Sequence, residues 1–183
     1  MSLIKVKGSS ITGALAAVDG SALTGLSAGI TMAQIWRVSS TFTGDATPIT
    51  SNLEAVDTDS PGSIGSAMTQ SSGIFTFPST GMYLVTAHGE FFHNADSRYN
   101  QLIIQVTTDN NTYSEAAKTS GGVALAESTH TYNSCSSQVI IDVTDTSNVK
   151  VRFTSSVSVD ATSTAGASSY SRTHFSFIRL GDT

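Results

Sequence analysis

Cysteine is nearly absent from this 183-residue chain: Cys135 stands alone, so no intrachain disulfide can form and a cysteine-stapled scaffold is excluded. Charge is scarce as well, at 13% of residues where about a quarter is usual, so solubility has to come from neutral polar groups. Nine Lys and Arg face fourteen Asp and Glu, a net charge of −5, and Lys5 and Lys7 against Asp19 leave −6 for everything beyond residue 33. Phosphate contacts need clustered cations, so a nucleic-acid partner is not expected. No run approaches the roughly 18 uninterrupted apolar residues of a membrane-crossing helix, and no membrane partner is expected. The opening Met1 to Lys7 lacks the apolar stretch of a secretory leader, which gives the expectation of a protein made in the cytoplasm.

Hydroxyls fill the gap, with 30 Ser and 25 Thr. Thr favours pleated strands and Ser favours turns, which points away from helices. The clearest local signal runs from Gly73 to Val85. Phe75 and Phe77 share one face of a strand, Pro78 cannot donate to a ladder, Gly81 tolerates a positive φ, and Tyr83 and Val85 resume a period of two. Further strands are expected from Gln34 to Phe42, as short pieces within 43–72, at 74–77, 82–92, 98–108, 123–132, 135–143 and 149–159, and from Tyr170 to Leu180. Turns are expected at 94–97, 109–111 and 145–147, a break at Gly121–Gly122, and a loop over 160–169. Val149, Val151 and Phe153 alternate with Lys150, Arg152 and Thr154, the pattern of one dry and one wet face. Nine or ten short strands with almost no helix make an all-β sandwich or jelly roll. Residues 1–33, with glycine recurring every five to seven positions, read as an extended N-terminal arm, and 34–183 as the β-sandwich head.

The spacing Gly-x-Phe-x-x-Pro-x-x-Gly-x-Tyr from Gly73 to Tyr83 resembles the central signature of the complement-q and tumour necrosis factor-like jelly rolls. Gln34 to Val38, the run Ser136 to Ile141 with Asp145, Val149 and Val151, and the closing Phe175, Phe177 and Leu180 are similar to other strands of that family. The resemblance implies about ten antiparallel strands and assembly as a homotrimer. A second resemblance spans the chain: Ser2 to Gly8, GIFTFPSTG over 73–81, DVTDT over 142–146 and FSFIRLGDT over 175–183 look like small virion structural proteins of marine tailed bacteriophages. It implies a protein at the virion surface, made in the host, whose partners are other virion proteins of capsid or fibre.

Expected site residues follow from these readings. Tyr83, Phe91, Phe92, Phe175 and Phe177 are candidates for the trimer interface; the alternative is that the phenylalanines lie inside one subunit. Leu3, Ile4, Lys5, Val6, Lys7, Ile11 and Leu15 are candidates for docking the arm onto a particle, where three weak attachments would act at high effective concentration. Tyr99, Tyr113 and Tyr170, at strand or loop edges, are candidates for contact with a host surface glycan. His88, His93, His130 and His174 show no nucleophile-elbow or zinc spacing and read as surface or interface residues, so no enzyme is expected. Glu54, Asp57 and Asp59 have the chemistry for calcium, an acidic solvated loop being the plainer reading, and no metal or cofactor is assigned. The functional expectation is a non-enzymatic decoration or head-fibre protein, with a glycan-recognising tail-fibre adhesin as the alternative.

Overall fold

A computed structural model describes residues 29–59, 62–126 and 128–183. The arm-docking candidates Leu3, Ile4, Lys5, Val6, Lys7, Ile11 and Leu15 lie outside the described residues. Twelve strands follow in order: β1 (Met32–Val38), β2 (Phe42–Thr43), β3 (Leu53–Ala55), β4 (Thr69–Ser71), β5 (Ile74–Thr76), β6 (Gly81–His93), β7 (Ser97–Thr107), β8 (Ser114–Val123), β9 (Thr131–Val143), β10 (Lys150–Val157), β11 (Ser163–Thr164) and β12 (His174–Gly181). Two antiparallel sheets carry them. The first joins β9 to β6, then β12, β1 and β3, with β11 and β2 continuing beside the far end of β6; the second runs β4-β5-β10-β7-β8. This is the all-β jelly-roll sandwich expected from the strand pattern, with the two extra strands, β2 and β11, each two residues long.

The corner at residues 77–81 shows how the sequence sets the geometry. The chain leaves β5, turns at Pro78–Ser79–Thr80, and enters β6 at Gly81, whose φ of +139° suits a residue without a Cβ. Tyr83 clips the turn: its hydroxyl donates to the Ser79 carbonyl at 3.0 Å, and its ring packs 4.7 Å from Phe77. Gly73 supplies the tighter turn between β4 and β5 with φ +79°, and a Cβ there would run into the Ile49 carbonyl.

Between the sheets lies an aromatic layer. Phe153 of β10 stacks on Phe175 of β12 at 3.8 Å with an interplanar angle of 11°, and Phe75 of β5 meets Trp36 of β1 edge-on at 5.3 Å. Phe75 also sits 5.3 Å from Phe177, so rings from both sheets interlock at the centre. Arg37 is buried in the first sheet at 1% exposure, a position costly for a lone cation. Its Nε donates to Glu54 at 2.7 Å and its Nη2 to Asp57 at 3.1 Å and Thr58 at 2.7 Å. Two of the acids read as a solvated loop are therefore counterions of a buried arginine.

Several expectations are corrected here. Tyr83, Phe91, Phe175 and Phe177 are fully covered within one subunit, so they have no surface to offer a second copy; the same inward alternation that makes them strand residues makes them core. Only Phe92 of the five candidates remains partly exposed. The Gly121–Gly122 pair does not break a strand: β8 runs through it, Gly121 leaving room for the Asn133 side chain of β9, and the strand expected over 123–132 gives way to the end of β8 at Val123 and the start of β9 at Thr131. His93, expected at a surface or an interface, is buried within the subunit.

Replacing Phe153 with Ala removes the stack on Phe175 and leaves a cavity between the sheets. A loss of about 3–5 kcal/mol in urea unfolding at fixed protein concentration is expected; a loss under about 1 kcal/mol would show that the aromatic layer does not set stability.

Candidate functional site

The outward positions of the first sheet form a continuous surface whose rows are set by strand register. Ile140 of β9 pairs with Leu84 of β6, which pairs with Ile178 of β12, which pairs with Ala33 of β1: an apolar row across four strands. Beneath it run Gln138, Thr86, Ser176 and Ile35, in which Ser176 Oγ donates to Thr86 Oγ1 at 2.8 Å. Ser136, His88 and His174 form the third row, with the two imidazole rings 5.0 Å apart. Ser134 and Glu90 follow, then Tyr132 and Phe92.

Each row has a simple origin. β6 and β9 alternate inward and outward along thirteen residues apiece, so the outward set is every second residue and is as regular as the core set. Ile140 is 56% exposed and Tyr132 52%, large side chains to leave open on one sheet face.

The lower rows hold the charge. Arg172 grips Glu90 through two parallel bonds, Nη2 to Oε1 at 2.6 Å and Nε to Oε2 at 3.1 Å. The same guanidinium lies 5.2 Å from the Tyr132 ring centroid and 5.9 Å from that of Phe92. Phe92 in turn packs 5.2 Å from Tyr132 and 4.8 Å from His130. A shallow open cavity of about 200 Å3 sits among His88, Glu90, Tyr132, Asn133 and Ser134. The Arg172 bonds hold the Glu90 carboxyl below its ordinary range, while burial, and then the neighbouring His174, push the His88 pKa down against the smaller pull of Glu90.

The polar groups of this face are largely engaged with one another. Ser134 and Ser136 flank the histidine row without a hydrogen bond to an imidazole, and His174 Nδ1 is engaged with the Arg172 carbonyl at 3.0 Å. Burial pushes the Cys135 thiol up, away from the reactive thiolate. Among the described residues no group of three or more His, Cys, Asp or Glu is placed to hold a metal ion.

Of the predicted site residues that are described, Phe92 lies on this face, as do His88 and His174, expected at a surface or interface. Tyr99 and Tyr170 are exposed elsewhere, and Tyr113 is half-buried beneath Arg152. Leu84, Ile140, Ile178 and Tyr132 on this face are not among the predicted site residues, although they are the out-of-phase apolar positions of strands whose inward set is recognised from the sequence. That second, offset period is the signal that points to them.

No known family model matches the sequence, and no curated protein matches it. Solved structures do match in fold. Murine APRIL, at 12% identity, superimposes with a TM-score of 0.59 over 81% of this chain and 98% of its own. Eiger TNF from S. frugiperda, at 13% identity, gives 0.61 over 85% and 96%. The jelly roll is thus of the tumour necrosis factor-like type.

Acidification should weaken this face in two stages. Because the folded state lowers the His88 pKa below 6.5, the unfolded chain binds that proton first, and stability falls as pH drops below 6.5 until folded His88 itself titrates. Glu90, held below its ordinary 4.5, contributes stability that is lost as pH falls further. Urea midpoints measured from pH 7.5 to 5 should decline in the wild type and decline less in His88→Gln; identical slopes would remove His88 from the account.

Proposed function

We propose that this protein is a non-enzymatic structural component of a marine phage virion, of the capsid-decoration or head-fibre type, assembling as a homotrimer through the outer face of the first sheet. The N-terminal arm docks it to capsid or fibre and the sandwich head projects at the virion surface. The observation that carries self-association is the row Ile140–Leu84–Ile178, an apolar band on an open sheet face that water penalises unless another surface covers it. A threefold ring does this with one repeated heterologous contact, the face of each subunit meeting a different surface of the next and closing without a free end. The fold likeness to APRIL and Eiger TNF is consistent with that mode.

Viral placement rests on the joint order of short sequence words. GIFTFPSTG covers β5 and the turn into β6, and FSFIRLGDT begins inside β12. A structural role also suits the chemistry of the face, which offers paired and packed groups in place of an activated nucleophile. The second reading, a fibre-tip adhesin for host glycans, is favoured by one observation: Tyr99 and Tyr170 keep 40% and 60% of their surface exposed, as sugar-stacking platforms must.

The full chain should sediment at three times the chain mass, and Ile140→Asp should shift it to the monomer with its strand content intact. A wild-type monomer would defeat the proposal. Deleting residues 1–30 should leave a folded trimer that no longer joins particles; particles that still carry the truncated protein would take the docking role away from the arm.

A further inference from the structure

The second sheet carries an arrangement apart from the apolar face on which the proposed self-association rests. In β10, Lys150 and Arg152 both point outward, two residues and therefore about 7 Å apart. Register sets each in a row: Thr76, Lys150 and Thr107 in one, Ile74, Arg152 and Gln105 in the next. Neither cation makes an ion pair with a described residue, which is unusual in a chain with a net charge of −5.

Arg152 is held in a specific pose. Its Nε donates to Gln105 Oε1 at 2.7 Å, and its guanidinium lies 4.0 Å above the Tyr113 ring. Those two contacts fix the plane of the group and use one donor, while its Nη groups make no hydrogen bond to a described residue. A planar cation with its outer donors free is the geometry that receives a carboxylate in a fork. Lys150 donates to the Thr146 carbonyl at 2.6 Å and Thr76 Oγ1 at 3.1 Å, which leaves one ammonium donor.

The nearby acids are engaged elsewhere. Asp109 accepts from Thr107 Oγ1 and from the Asn111 and Thr112 amides, and Glu115 pairs with Lys118 at 2.7 Å. Beside Lys150 opens a groove of about 550 Å3, lined by hydroxyls and amides including Thr69, Gln70, Ser71 and Asn110, with Ile74 as its apolar floor. Hydroxyl and amide groups suit sugar hydroxyls, and an aliphatic floor suits the C–H face of a pyranose. Two cations alone are too few for the dense phosphates of nucleic acid.

We propose that this groove, together with Arg152 in the register row beside Ile74, binds an acidic polysaccharide through its uronate units, with the Arg152 fork on a sugar carboxylate, Lys150 on the next, and Gln105 and Tyr113 as residues that position the fork. The site lies on the second sheet, and its ligand-binding readout is separate from the sedimentation that reports on the trimer. It differs from the expected sugar platforms: Tyr113 serves by carrying Arg152, and Tyr99 and Tyr170 take no part.

The test titrates the full-length protein with a galacturonate hexamer, followed by calorimetry and by amide chemical shifts. Saturable binding is expected, with shifts at residues 74–76, 105 and 150–152, and none with a neutral glucose hexamer. Arg152→Gln should weaken binding by about tenfold or more, Arg152→Lys by less because charge remains without the fork, and Lys150→Gln by several-fold. Sedimentation should be unchanged in all three, which separates this result from the fate of the trimer. Absence of saturable binding, equal binding of the neutral hexamer, or affinities unaltered by Arg152→Gln and Lys150→Gln would overturn the proposal. So would tighter Arg152-dependent binding of dextran sulfate or single-stranded DNA, which would show charge density to be the recognised feature. Should Arg152→Gln lose its fold, Lys150→Gln decides alone.

Discussion

Register along β6 is the constraint on which the rest of the molecule depends. This strand pairs with β9 over its whole length on one edge, and with β12 and then β11 on the other. Because side chains alternate, a slip of one residue would send Tyr83, Val85, Ala87 and Phe91 to water and Leu84, Thr86, His88 and Glu90 into the core. The aromatic layer makes that exchange prohibitive, since a buried Glu90 would lose both solvent and Arg172. One choice of register therefore creates both the core and the ruled outer face. The candidate site is the complement of the core on the same strands.

Low charge shapes what the two faces can do. With few ions available, each pairing carries information: Arg37 is covered and matched by Glu54 and Asp57, Arg172 by Glu90, while Lys150 and Arg152, the charged residues of β10, make no ion pair with a described residue. Buried or half-buried pairs fix geometry more than they add stability. The apolar band over Ile140, Leu84 and Ile178 is the opposite case, a surface whose stabilisation depends on being covered. The sandwich thus separates an outer face with an apolar band from one that carries two cations without a paired anion.

Much of the fold was legible because strand alternation is written directly in residue type. Phe75, Phe77, Tyr83 and Val85 announce two strands and a corner, and the tip at Asp109 and the corner at Asp145 appear where Asx side chains cap turns. The candidate site was less legible, for a physical reason. Aromatic residues were taken to signal an interface, yet in a thin sandwich rings are what spans the gap between sheets, so Phe175 and Phe177 went inward. The interface candidates Leu84, Ile140 and Ile178 are smaller and sit among Ser, Thr and His, where no single residue stands out. Arg37 was invisible for a related reason: a cation at an outward strand position reads as solvated until the acidic loop that folds over it is seen. The Gly121–Gly122 pair misled because glycine marks a close approach as often as a break, and only the position of Asn133 distinguishes the two.

Hydroxyl-radical footprinting of the full-length chain reads the central claim directly, because Ile140 and Tyr132 on the ruled face and Tyr170 away from it are comparably exposed in the isolated subunit, at 56%, 52% and 60%. The account predicts that Tyr170 is oxidised freely while Ile140 and Tyr132 are protected, and that the protection disappears on dilution below the dissociation constant. Equal oxidation of all three at high protein concentration would contradict it.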